Sequence, residues 1–215
     1  MRAALASFGL ALFAAGCGPP QSAAPPSTSV TRAGPMLSLA CDGPLRPDMT
    51  RADLERLFGA ENVADQTVPG PEGTETQATV LFPTDPMRRL EIVWGDEAAR
   101  TGGVSLARTR EKASEWMGPA GLRIGSSIAD VETVNGKPFQ LYGFNWDYGG
   151  YANDWRGGAL GTASGCAIGV RFNPKEGAPQ EGVTGEGPFA SDLAAMRAAE
   201  PAISELSLGF PVNRR

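Results

Sequence analysis

The sequence predicts an α+β fold of two related units, each with short helices followed by an antiparallel β-meander, plus a C-terminal helix and strand. Three observations predict it. Two helical segments with the same capping pattern lie 77 residues apart, each is followed by apolar runs of strand length, and turn-forming residues separate those runs. With 28 Gly and 18 Pro in 215 residues the chain is loop-rich, yet below the roughly 25–30% Pro plus Gly of a disordered polymer. A net charge of -5 with no basic block argues against a nucleic-acid partner, since that affinity rests on Lys and Arg neutralising phosphates. The chain has no His, which excludes Ser-His-Asp triads, Cys-His dyads and His-ligated metal sites.

Residues 1–16 open with Arg2 and continue as an apolar run from Ala3 to Ala15, broken by Ser7 and Gly9. This is shorter than the roughly 20 residues that span a bilayer and reads as a signal peptide. Phe13-Ala14-Ala15-Gly16-Cys17 resembles the lipobox of bacterial lipoproteins, although Ala14 stands where that family most often has Leu. The resemblance implies that Cys17 is acylated, with palmitate among its lipids, and becomes the new N-terminus. The alternative is an ordinary signal peptide that leaves Cys17 a plain thiol. Residues 17–40 then form a tether, with Pro19, Pro20, Pro25, Pro26 and Pro35 among small polar residues and no apolar period. Gly18 follows the Cys where an Asp would resemble an inner-membrane retention signal, so the resemblance implies an outer-membrane anchor facing the periplasm. Removing Cys17 leaves Cys41 and Cys166, an even number in a compartment that permits disulfides. They either pair or remain two buried thiols.

The first unit spans 41–117. Thr50-x-x-Asp53 reads as an N-cap with an acid at N3, and Gly59 supplies the stop, giving a helix of about eight residues whose Leu54, Leu57 and Phe58 form one stripe. Strands are predicted at 77–82, 90–94 and 104–109. The second unit, 118–176, repeats the signal: Ser127-x-x-Asp130, Gly136, and the stripe Ile128, Val131 and Val134. Strands follow at 140–148, 151–156 and 167–172. The remainder, 177–215, is a Gly-rich loop, a helix over 192–199 capped by Ser191, and a strand over 203–210 that completes the second unit.

Pro47-Asp48-Met49-Thr50, Gly59 and Gly136-Lys137-Pro138 resemble the BamE/SmpA-like lipoprotein family, in which a Met-Thr cap and a Gly-x-Pro turn precede a three-stranded sheet. Two such units in tandem are similar in layout to the β-lactamase inhibitory protein family, which grips its target with a sheet surface. Gly59-Ala60-Glu61 departs from Gly-x-Pro, and Ser126 stands where Met is expected.

One stretch is chemically unusual. All three Tyr and two of the four Trp lie between Tyr142 and Trp155. On a strand, Tyr142, Phe144, Trp146 and Tyr148 share one face, and Gly149-Gly150 allows a hairpin return. This face is either the core of the second unit or a binding surface of Tyr142, Trp146, Tyr148, Tyr151, Trp155 and Arg156, the composition of binding hot spots. The expected partner is an envelope protein or cell-wall component, with no cofactor. An alternative uses Asp147 and Asp154 as the acid pair of a peptidoglycan- or glycan-directed enzyme, or of a binding module. The oxygens of this stretch do not match a calcium-loop spacing, so no metal site is expected.

Overall fold

A computed structural model describes residues 37–161 and 165–210. The signal peptide, Cys17 and the tether up to residue 36 lie outside the described residues. The first helix, α1 (Arg51–Phe58), starts where the sequence places it. Thr50 Oγ1 accepts the Asp53 N–H at 3.3 Å, and the Asp53 carboxylate accepts the Thr50 N–H at 2.7 Å. The second helix, α2 (Ile128–Asn135), has the same reciprocal box, at 3.2 Å from Asp130 N to Ser127 Oγ and 2.8 Å in return. Gly59 and Gly136 end the two helices with positive φ, and their N–H groups reach Glu55 O and Glu132 O. Because each box satisfies two helix-end donors, Thr50→Ala and Ser127→Ala are each expected to lower stability by about 1 kcal/mol. Urea unfolding checks this, as a lower midpoint at unchanged slope.

Between the helices run β1 (Val63–Pro69), β2 (Glu75–Leu81), β3 (Leu90–Asp96) and β4 (Thr101–Thr109), a four-stranded antiparallel meander. After α2 come β5 (Gln140–Tyr142), β6 (Ala152–Asp154), β7 (Ala167–Asn173), β8 (Pro188–Ala190), the short helix α3 (Ala194–Ala198) and β9 (Ala202–Gly209). They form two sheets, ordered β1-β2-β3-β4-β9-β7 and β6-β5-β8. The architecture is α+β. The strands after α2 do not form one meander, being divided between the two sheets; β9 pairs with β7 along one edge and with β4 along the other, so strands from both halves of the chain share one sheet.

Strand alternation divides the residues of the large sheet between two faces. One face carries Leu90, Ile92, Trp94, Ala107, Leu206, Leu208, Val170 and Phe172, buried together with Leu54 and Phe58 of α1 and Ile128 and Val131 of α2. The opposite face holds a small apolar cluster, Val68, Ala78 and Val80, and then turns polar with Glu91, Arg108, Glu205 and Ser207. Helices cover the first face, so any site on the sheet belongs to the second. Cys41 and Cys166 form a disulfide with Cα atoms 5.8 Å apart, joining the N-terminal segment to the start of β7. No helix among the described residues is long and apolar enough to cross a membrane.

Three expectations are corrected. The strand over 140–148 stops at Tyr142, because the chain turns there: Phe144 bonds Val183 and Gly185, Asn145 takes φ 67°, and the Trp146 indole N–H closes back on Gly143 O. The return strand over 151–156 shrinks to β6, with Tyr151 instead bridging Arg171 of β7. Ser191 does not cap the last helix. Its buried hydroxyl accepts from Phe139 N–H at 3.0 Å and donates to Glu132 Oε1 at 2.5 Å, so tertiary partners take the group a cap would need, and α3 starts at Ala194.

Candidate functional site

A cleft of about 480 Å³ opens on the polar face of the large sheet, within the range of small-ligand sites. One wall is the β1–β2 turn, Gly70 to Gly73. Gly70 N–H bonds Thr74 O to close this turn, and Glu72 sits at φ 54° on its tip. The opposite wall is the aromatic loop, Trp146 to Tyr151. Gly149 N–H bonds Trp146 O, and Gly150 O accepts from Phe172 N–H, pinning the loop to β7. Tyr148 donates its hydroxyl to Glu72 Oε1 at 2.9 Å, a hydrogen bond that joins the two walls. That bond raises the Tyr148 phenol above the ordinary tyrosine value.

Arginines from three places line the floor. Arg108 near the end of β4 and Arg110 just beyond it both bond Glu91 Oε2 of β3, at 2.8 and 2.7 Å. Arg171 of β7 donates to Gly149 O and Asp147 O and lies 4.9 Å from the Tyr151 ring centre. Beneath them Glu205 of β9 accepts the Tyr151 hydroxyl at 3.0 Å and lies 3.9 Å from Arg110. Glu91 and Glu205 are buried, and buried carboxylates require such partners. Burial first, then the neighbouring Glu205 carboxylate, push the Tyr151 phenol up to about 12 from the ordinary 10.0. The folded state keeps a proton that the unfolded chain releases, so this contribution is complete below pH 10.0 and is lost as pH rises through about 12. Alkaline titration of phenolate absorbance is expected to show a late step near pH 12 that Tyr151→Phe removes.

The structure brings together four of the aromatic candidates. Tyr142, Trp146 and Tyr148 form an edge-on ladder with ring centres 5.3 and 5.5 Å apart, and Tyr151 stands beside Arg171. Tyr148 is 40% exposed, whereas Phe144, from the same expected face, is buried. Trp155 turns away, packing 5.1 Å from Phe139 against the core, and neither it nor the exposed Arg156 lines the cleft. Asp147 lines the cleft. Asp154 does not: its carboxylate accepts the Arg156 N–H at 2.7 Å, as a turn acid does. The sequence reading did not find Glu72, Glu91, Arg108, Arg110, Arg171 or Glu205. The available signal was alternation, which puts Glu91, Arg108 and Arg110 on the face opposite Ile92 and Ala107.

A second cavity of about 490 Å³ lies beside the disulfide, and among the described residues Asp42 is its only charged lining residue. Convergent charged and aromatic groups single out the first. Among the described residues no cluster of His, Cys, Asp and Glu could hold a metal ion. Compared with protein families, curated proteins and solved structures, the chain matches none.

Proposed function

We propose that this chain is a lipid-anchored lipoprotein of the bacterial cell envelope, facing the periplasm from the outer membrane, and that it binds an envelope protein or cell-wall component without carrying out a reaction. The observation that carries the binding role is the aromatic loop. Trp146, Tyr148 and Tyr151 line one side of a cleft whose floor is guanidinium, and Tyr148 is exposed at its rim. Large, stiff aromatics beside arginine dominate the energy of protein interfaces, because they cover much area for little lost rotamer freedom. The lipid anchor is supported by the Cys17 pattern alone. The disulfide fits an oxidising compartment.

The same reading takes the chain as two tandem BamE/SmpA-like units, with the layout of the β-lactamase inhibitory protein. Its support is the repeated capping box, at Thr50 and at Ser127, each ahead of antiparallel strands. Under that reading the large sheet offers its open face to the partner.

Two measurements test the proposal. A photocrosslinker placed at Tyr148 in living cells should capture a defined envelope component, and one placed at exposed Met87 should not. Equal capture from both positions would remove the binding role. Labelled palmitate should enter the protein and be lost in Cys17→Ser; incorporation that survives Cys17→Ser would remove the anchor.

A further inference from the structure

We infer that the cleft receives a carboxylate, supplied by an Asp or Glu side chain of a protein partner; this rests on the binding role proposed above and names the chemistry of what is bound. Arg108 and Arg110 donate from Nη2 to the same backbone oxygen, Pro69 O, at 2.8 and 3.1 Å, and both reach the same Glu91 Oε2. Two shared acceptors thus hold two like charges side by side. Neither guanidinium uses its Nη1 internally, and neither does Arg171: among the described residues no hydrogen bond reaches Nη1 of any of the three. Arg108 is only 8% exposed, yet no buried side-chain nitrogen or oxygen among the described residues lacks a partner. Its Nη1 therefore meets solvent, and the cleft is the surface that Arg108 lines.

Paired guanidiniums with outward N–H groups match the planar, two-oxygen geometry of a carboxylate. Because both arginines are already fixed, little side-chain entropy is lost when an anion arrives. The wider charge distribution limits what that anion can be. Arg2, Arg32, Arg214 and Arg215 lie outside the described residues and no acid does, so the described residues carry a more negative net charge than the whole chain at -5. A polyanion would be repelled by that charge. At the cleft Glu72, Asp147, Glu91 and Glu205 offset Arg108, Arg110 and Arg171, so what a single carboxylate meets is not a net positive charge but the guanidinium N–H groups that the internal acids leave unused. Trp146, Tyr148 and Tyr151 offer ring surface to the residues flanking that acid, as a protein segment requires and an isolated anion does not.

The test titrates the isotope-labelled full mature protein with three probes: acetyl-Gly-Glu-Tyr-Gly-amide, its Gln counterpart, and a muramyl tripeptide. The Glu peptide is expected to shift the Trp146 indole and the Nε–H signals of Arg108, Arg110 and Arg171, saturating with a Kd of about 1 mM or below. The Gln counterpart should bind at least about tenfold more weakly, since it loses the charge-assisted bonds. Arg110→Gln should close that gap. Should this variant fail to fold, rising salt on the parent protein must narrow the same gap. Equal binding of the Glu and Gln peptides, or no saturable shift with either, overturns the inference. Tighter binding of the muramyl tripeptide at the same signals overturns it in favour of a cell-wall ligand. Capture from Tyr148 in cells alongside equal Glu and Gln binding would sink the carboxylate inference and leave the binding role intact; loss of Tyr148 capture strikes the binding role itself.

Discussion

Replacing Cys41 and Cys166 together with Ala is expected to lower stability by about 2–5 kcal/mol. The two positions are 125 residues apart. A cross-link over so long a segment removes much of the freedom of the unfolded chain, and the loop-closure relation puts its upper value near 5 kcal/mol. The folded side adds a second reason. Among the described residues the N-terminal segment is otherwise held by backbone bonds from Leu39 to Met117, from Met117 to Leu37 and from Val104 to Pro47, and by the apolar packing of Leu39 and Leu45. Without the bridge this segment frays first, exposing Leu39 and Leu45, both buried in the core. Urea unfolding of the oxidised, reduced and doubly substituted proteins checks the prediction. The reduced and substituted forms should share a lower midpoint, and coincident midpoints for all three would show that the bridge adds nothing.

Gly150→Ala should destabilise by about 3 kcal/mol or more and release the aromatic loop from β7. Gly150 has φ +78°, and a Cβ built on it would stand 1.9 Å from Phe172 O and 3.0 Å from Phe172 C. Both atoms are backbone of a paired strand, so the loop has to move instead. Moving it breaks the Phe172 N–H bond to Gly150 O and withdraws Gly149 O, to which Arg171 Nε donates. Gly157→Ala is the matched control: its φ is +70°, but a Cβ there meets nothing within 4 Å. It should cost only the backbone penalty, about 1–2 kcal/mol. The difference between the variants therefore measures the close approach. In Gly150→Ala the Phe172 amide should exchange with solvent far faster than in the control; matching exchange rates would mean that the loop is held by other contacts.

The helices were legible because their signals are local. A hydroxyl, an acid three residues on and a terminal Gly define α1 and α2 within ten residues of chain. Strand β1 was missed because it is an edge strand: only Val63 and Val68 of its residues are buried, so no alternation marks it. Strand β8 is three residues inside a Gly-rich stretch. The aromatic alternation of Tyr142, Phe144, Trp146 and Tyr148 misled for a different reason. A Cβ built on Gly143 would stand 2.6 Å from the Phe189 ring and 2.7 Å from Gly185 O, a long-range enclosure that no local pattern records. The cleft was half legible. Its aromatic wall was visible as composition, but its arginine floor depends on β9 entering between β4 and β7, which sets Arg171 opposite Glu205 and Arg108 opposite Ser207. Sequence spacing does not fix that order.

The Cys41–Cys166 link also decides how the molecule behaves under mechanical load. A pull on the N-terminal end travels along the backbone only as far as Cys41, then crosses the covalent bridge to the start of β7. Everything from Asp42 to Gly165 is a closed ring that tension cannot straighten, and Tyr148, Arg108 and Arg110 all ride on that ring. Force arriving from that end is therefore borne first by β7 and its pairing with β9, outside the covalent ring that carries both walls of the cleft.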